Sequence, residues 1–365
     1  MKAWGDSRND RPRDGSREDT LRAIEDAGID LDPASPADLA RDRDHGGGGV
    51  GDHGHDHDDG QPHEHPHLQS ALGQPPIIGI VGAGAVGTAL GVALGRAGWP
   101  IHAVASRDDA RRERFRSLVP GVRAFIDAQP LVEEVELIVL AVPDDALPSL
   151  AGELNMYSGQ AMIHTSGLLG AEVLASAMAA GTQVGSFHPL VAFADLERAV
   201  AALHGATVAI DGDDQLTDLL ARMAEAIGAT PVRLAPGAKP AYHAAAVLAA
   251  GGFDALLDAI AELGRVAGLD EAGSLAIYGG LIEQTLGNAR SLGIAAALTG
   301  PMIRGDRGTV RSHLSALVTH APAVIPVYLA LAEREVAIAA ERGALTPEAA
   351  ADLRRTLAES LATPS

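Results

Sequence analysis

From Pro76 to about Leu234, short apolar runs alternate with longer amphipathic stretches. Ile77–Val81 is a β-branched run of strand length, and an Ala/Leu-rich helical stretch follows it to about Ala97, closed by Gly98-Trp99-Pro100. Further strands are predicted at Ile101–Ala105, Glu136–Val142, Ala161–Ile163, Gln183–Phe187, His204–Asp211 and Thr230–Leu234, with a helix at Asp214–Ala226. Apolar runs without alternation suit strands covered on both faces, so residues 75–235 are expected to form a doubly wound, mostly parallel α/β sheet. From Gly237 on, strand patterns vanish. Helices are predicted from Lys239-Pro240, over Gly279–Leu292 and over Thr309–Val318, and a last one opens with Thr346 as cap and Pro347 in the first turn. Residues 236–365 thus read as an all-α domain, and analogy with other sheets followed by such helices, not the pattern itself, makes substrate binding and dimerisation its expected roles.

The first 70 residues have no such pattern. They hold 8 basic and 17 acidic residues with few apolar ones, the composition of a disordered tail. Seven of the chain's 14 histidines fall within residues 45–67 (His45, His53, His55, His57, His63, His65 and His67) among Gly, Asp and Pro. Such a tract is expected to bind metal ions weakly at most. A catalytic metal is not expected, because a flexible segment cannot hold a defined open coordination position. The whole chain of 365 residues carries a formal charge of −20, which opposes binding to nucleic acids and anionic membranes. It contains no cysteine, which removes disulfides and thiolate chemistry. No signal-peptide apolar region opens it and no uninterrupted apolar run of about 18 residues is apparent, so a cytoplasmic protein is expected.

The first strand runs into Gly82-x-Gly84-x-x-Gly87, with Ala83, Ala85 and Val86 between. Strand, glycine turn and helix in this order form a dinucleotide-binding Rossmann fingerprint. Gly82 permits the turn, Gly84 lets a pyrophosphate approach the backbone, and Gly87 lets helix and strand pack. The second strand ends not in the acidic residue that holds an NAD ribose but in Ser106-Arg107, with Arg111 and Arg112 a turn later. A hydroxyl and guanidinium groups suit a 2′-phosphate, so NADP is the expected cofactor. Ala141, Val142 and Pro143 end the next strand at the carboxyl edge of the sheet, where ligands bind in such folds. Two more strands end in His164-Thr165-Ser166-Gly167 and His188-Pro189, and Lys239 and His243 share one helix face. Lys239, His188, Ser166 and His243 are the catalytic candidates. His188 and Lys239 are expected to handle protons, and Ser166 to orient a small-molecule substrate. His164 and Thr165 serve the turn, and His102 is structural.

With the fingerprint, the runs AVPDD at 141–145, HTSG at 164–167, GSFHPL at 185–190, AKPAYHAAAVLA at 238–249 and ALTGPMIRGD at 297–306 occur in a recognisable order. Over residues 76–340 the chain resembles the Rossmann-like NADP oxidoreductases with a C-terminal domain of unknown function. These lie in the 6-phosphogluconate-dehydrogenase-like superfamily, with ketopantoate, pyrroline-carboxylate and hydroxyacid reductases as relatives. The resemblance implies NADP at Gly82–Gly87 and a helical dimerisation domain, hence a homodimer. Lys239 matches the superfamily's catalytic lysine, and His243 stands where hydroxyacid dehydrogenases carry Asn. His188-Pro189 is similar to a motif of prephenate dehydrogenases whose histidine meets the substrate hydroxyl. Where the family usually reads Ala-Ser-Asn, this chain has Ala249-Ala250-Gly251. The expected activity is hydride transfer between NADPH and a small C=O or C=N, with a 2-oxo acid such as ketopantoate first among the substrates. A non-catalytic NADP-binding sensor or scaffold is the alternative.

Overall fold

The computed structural model describes residues 74–359, so the tail with its histidine tract and proposed metal affinity lies outside the described residues. The chain divides into two compact units, with the boundary between Ala246 and Val247.

The first unit is an eight-stranded sheet in the order β3-β2-β1-β4-β5-β6-β7-β8. Its strands are β1 (Ile78–Val81), β2 (Ile101–Ala105), β3 (Arg123–Phe125), β4 (Leu137–Leu140), β5 (Ala161–His164), β6 (Gln183–Pro189), β7 (Thr207–Asp211) and β8 (Thr230–Arg233). The first six run parallel, β7 pairs antiparallel with β6, and β8 runs parallel to β7. Helices α1 (Ala85–Arg96), α2 (Asp109–Leu118), α3 (Gln129–Val132), α4 (Leu147–Glu153), α5 (Ala175–Ala179), α6 (Leu196–Leu203) and α7 (Asp214–Ala226) connect them.

The alternation of side chains along the strands feeds two separate cores. Ile78, Ile80, Leu137, Val139, Ala161 and Ile163 join one buried cluster with Phe115, Leu203 and Met223. Val81, Ile138, Leu140 and Met162 join another with Leu131, Leu147 and Leu174. Both faces are therefore covered, as the unbroken apolar runs require.

Two strands depart from the sequence reading. β3 is an unanticipated three-residue edge strand with both Arg123 and Ala124 exposed, so no apolar run announces it. β6 extends two residues beyond the predicted end at Phe187, because His188 and Pro189 pair with Ala209 and Val208 of β7. His188 thus sits in a strand rather than in a loop. The two sheet edges are blunt. Arg123 on β3 lies 5.2 Å over the Phe125 ring and bonds to Glu134, while β8 carries Pro231.

The chain then enters α8 (Lys239–Ala249) and, after Ala250, α9 (Gly251–Val266). By length and composition alone, Lys239–Val266 could cross a membrane, with mean hydropathy 1.6 over 18 residues, and it is the single such segment among the described residues. That qualifies the expectation of no apolar run of this length. The segment is nevertheless broken at Ala250 (φ −110°, ψ −94°) into pieces of 11 and 16 residues, each short of the ~20 a span needs.

The second unit has only helices as regular elements in its described length, with α10 (Glu271–Leu292), α11 (Ile294–Ala297), α12 (Arg307–His320), α13 (Ile325–Glu341) and α14 (Pro347–Glu359) after α9 and a turn-rich connection over residues 298–306. Its main core gathers Met302, Val310, Leu314, Val336, Leu353 and Leu357. Thr346 caps α14, its hydroxyl accepting from Ala349 N at 3.2 Å, as the sequence predicts. α10 is different: of its 22 residues only Ser274 is buried.

Candidate active site

The sheet order reverses between β1 and β4, and the glycine turn sits at that switch. Gly82 has φ +107°, and a Cβ there would fall 2.2 Å from the Ala141 carbonyl oxygen. A Cβ on Gly87 would lie 2.1 Å from the Gly82 oxygen, so helix and turn close on each other with no room for a side chain. Gly84 faces nothing within 4 Å, and as N-cap of α1 it provides no side-chain bond to the helix start. The first-turn N–H groups and the positive end of the helix dipole are thus available to an anion.

A cavity of about 980 Å³ opens over this turn. Gly82, Gly84, Ala85, Val86, Ser106, Arg107, Ala141, Val142 and Pro143 all line it; of the residues singled out for cofactor binding, only Gly87 is packed away beneath. At the end of β2, Arg107 is exposed and makes no ion pair with a described residue. Arg111 lines the cavity too, with Asp108 3.4 Å from its Nε. Arg112 is otherwise engaged, donating to the Ser106 carbonyl and, at 2.7 Å, to Asp109. It is withdrawn from the basic group the sequence suggests. The two acids that follow Arg107 also have local work. Asp108 caps α2 by accepting from Arg111 N at 3.0 Å, and Asp109 holds Arg112.

Thr165 lines the same cavity, and its neighbours belong to a polar cluster at the ends of β5 and β6. His164 is fully buried. Its Nδ1 accepts from Ser166 N at 3.1 Å and its Nε2 donates to the Gly170 carbonyl at 3.0 Å, so it serves the turn. Burial pushes its pKa down to about 4. The Ser166 hydroxyl donates to Asp144 Oδ2 at 2.9 Å and accepts from Leu168 N and Leu169 N at 3.2 and 3.0 Å. Lys239, 8% exposed, donates to Ser166 O at 3.2 Å, to Ser186 Oγ at 2.8 Å and to Leu169 O. Burial holds its pKa below the ordinary 10.5, against the pull of Asp211, Glu172 and Asp144.

His188 stands on the same side of β6 as Ser186. Burial, with help from His243 and Lys239, pushes its pKa down to about 4, so the imidazole is neutral at physiological pH. Its ring meets Tyr242 edge-on at 5.8 Å and His243 at 5.9 Å. Burial raises the Tyr242 phenol to about 12. All four catalytic candidates therefore converge. Tyr242, Asp144, Asp211 and Glu172 join them unannounced. The available signal for Tyr242 was its spacing, three residues after Lys239 and hence on the same helix face. Among the described residues no group of three or more His, Asp or Glu side chains is placed to hold a metal ion.

Residues 61–189 match the model of the Rossmann-like domain, and residues 206–335 match a domain of unknown function, DUF2520. The two matches follow one another along the chain, and each covers about a third of it. The polar cluster draws on both, since Ser166, Ser186 and His188 lie in the Rossmann-like match and Lys239, Tyr242 and His243 in the DUF2520 match. A putative NADP oxidoreductase from Bacteroides fragilis is similar in fold, with TM-score 0.60 and 22% identity over 72% of this chain and 98% of its own. A 1-pyrroline-5-carboxylate reductase from Streptococcus pyogenes gives TM-score 0.52 and 15% identity over 79% and 99%. A reductive aminase from Aspergillus terreus, in complex with NADPH, cyclohexanone and allyl amine, gives 0.50 and 16% over 79% and 94%. No curated protein matches the chain.

Proposed function

We propose that this protein is an NADP-dependent oxidoreductase that exchanges hydride between NADPH and a small C=O or C=N substrate. The carrying observation is the 980 Å³ cavity at the switch point, whose floor is the glycine turn and whose rim holds the exposed Arg107. Its size suits a dinucleotide, Gly84 leaves open the space a pyrophosphate needs, and no acidic side chain stands at the β2 end without a local partner. Ser106 and Arg107 would hold the 2′-phosphate, and Ala141–Pro143 would line the path toward Thr165. NADPH, when bound, supplies the hydride. The chain supplies hydrogen bonds and a proton from the polar cluster at the ends of β5 and β6.

The fold likenesses include enzymes whose names specify pyrroline-carboxylate reduction and reductive amination, which favours C=N as much as C=O. They lend no support to ketopantoate in particular. The exposed apolar side chains of α10, Leu275, Ile277, Leu281 and Leu286 among them, support a homodimer through the helical unit.

Calorimetric titration with NADPH and NADH tests the reading. NADPH is expected to bind the tighter, and Arg107→Ala to weaken NADPH by roughly 10- to 100-fold, the loss of a charge-assisted contact, while leaving NADH unchanged. Binding of neither nucleotide would refute it.

A further inference from the structure

Three buried polar atoms in the cluster have no hydrogen-bond partner: His188 Nδ1, His243 Nδ1 and Tyr242 Oη. They belong to three rings gathered about His188, which is edge-on to both others at interplanar angles of 84° and 77°. Gly167 closes against them. A Cβ there would fall 2.5 Å from His243 Nδ1 and 2.6 Å from His188 Nε2, so only glycine leaves the rings their places. A buried polar atom without a partner gives up its bonds to water and receives nothing in return, which makes even one such atom worth explaining. Three on adjoining rings point to a ligand group that completes them.

Lys239 is in the opposite condition. An ammonium has three protons, and here Ser166 O, Leu169 O and Ser186 Oγ take all three. The Ser166 hydroxyl is likewise spent, on Asp144 and two backbone N–H groups. Lys239 and Ser166 together tie the turn after β5 to β6. They leave no proton directed at a ligand.

We propose that Tyr242 binds the heteroatom of the substrate and supplies its proton, with His188 and His243 completing that pocket, and that Lys239 is a positioning residue for the turn at residues 166–169. The proposal rests on the reductase reading for its chemistry. The substrate carbon accepts hydride from a dihydronicotinamide, the C=O or C=N π bond breaks, and the oxygen or nitrogen takes the phenolic proton. The phenolate then regains a proton from water.

The chain has four tyrosines, so the full-length protein labelled with ¹³Cζ-tyrosine gives a short spectrum in which Tyr242 is identified by its loss in Tyr242→Phe. Cyclohexanol and cyclohexylamine, which carry the heteroatoms of the two product classes, are the probes. At least one is expected to shift the Tyr242 signal and leave the other tyrosines in place. Melting temperatures separate the roles without any turnover. Tyr242→Phe is expected to melt at or above the wild type, since it deletes an unpaired hydroxyl. Lys239→Met is expected to melt ~4 °C lower or more, since it frees three acceptors. Where NADPH oxidation is measured with cyclohexanone and methylamine, Tyr242→Phe is expected to lower kcat about 100-fold with the NADPH affinity unchanged. A Tyr242 signal indifferent to both probes, a Tyr242→Phe melt as low as that of Lys239→Met, or undiminished kcat in Tyr242→Phe would overturn the proposal. Failure of NADPH to bind the wild type strikes the reductase reading instead, and the spectrum and melts still decide whether Tyr242 meets a ligand.

Discussion

Gly84 and Gly87 lie three residues apart in one turn, and an added methyl group meets opposite fates at the two. At Gly87 it would press on the Gly82 carbonyl at 2.1 Å, a backbone atom that cannot swing away. Gly87→Ala is therefore expected to destabilise the fold by ~2 kcal/mol or more, seen as a lowered urea midpoint. At Gly84 the methyl finds open space and a φ of −77° that any residue adopts. Gly84→Ala should fold with an unchanged midpoint, yet bind NADPH at least ~10-fold more weakly, because the methyl stands where the phosphates approach. Equal losses of stability in both variants would contradict this division of labour. The spacing of the glycines made both roles legible in the sequence. What the sequence hid was how side chains spend their bonding capacity. Lys239 and Ser166 look like free reagents in a string of letters, and only the fold reveals the backbone carbonyls and N–H groups that occupy them. Tyr242 looks like an ordinary helix residue until its hydroxyl is found buried and unpaired.

β5 and β6 carry their histidines at their ends, and both elements inherit a pH response from them. His164 and His188 fall from an ordinary 6.5 to about 4, so the folded chain refuses protons that the unfolded chain takes up between these values. Stability is then full above pH 6.5 and is lost as pH drops through 6.5 toward 4, by up to ~3 kcal/mol for each imidazole and less in sum because the two interact. The melting temperature should fall steadily from pH 7 to pH 4.5, and His188→Gln should flatten that slope. An identical slope in the variant would show that His188 carries no such charge penalty. Strands β1, β4 and β5 are readable within a few residues because each is a short run buried on both faces, and β2 because its Ala103–Ala105 end is. The end of β6 is not, because its last two residues owe their conformation to an antiparallel partner some twenty residues downstream. β3 escaped for a related reason, as three edge residues held by one neighbour need no apolar signature.

At the scale of the molecule, the change from alternating strands and helices to helices alone is written plainly in the sequence. The exposure of α10 is not, since hydrophobic periodicity tells which residues are apolar but not what covers them. If copies of the chain cover each other there, light scattering should give twice the 37.4 kDa chain mass, and Leu281→Glu should shift the population toward that single mass while NADPH binding persists. A monomeric wild type would remove the homodimer from the proposal. The borders of the sheet are poorly suited to such association. An open sheet offers two rows of unpaired backbone groups, the usual template for growing strand upon strand into aggregates. Here one border is only three residues long with Arg123 laid across Phe125, and the other contains Pro231, which has no N–H to offer. With both borders refusing recruits, a partly unfolded chain is spared its easiest route into fibrous assembly, and contact between copies is left to surfaces that form only after the helices have folded.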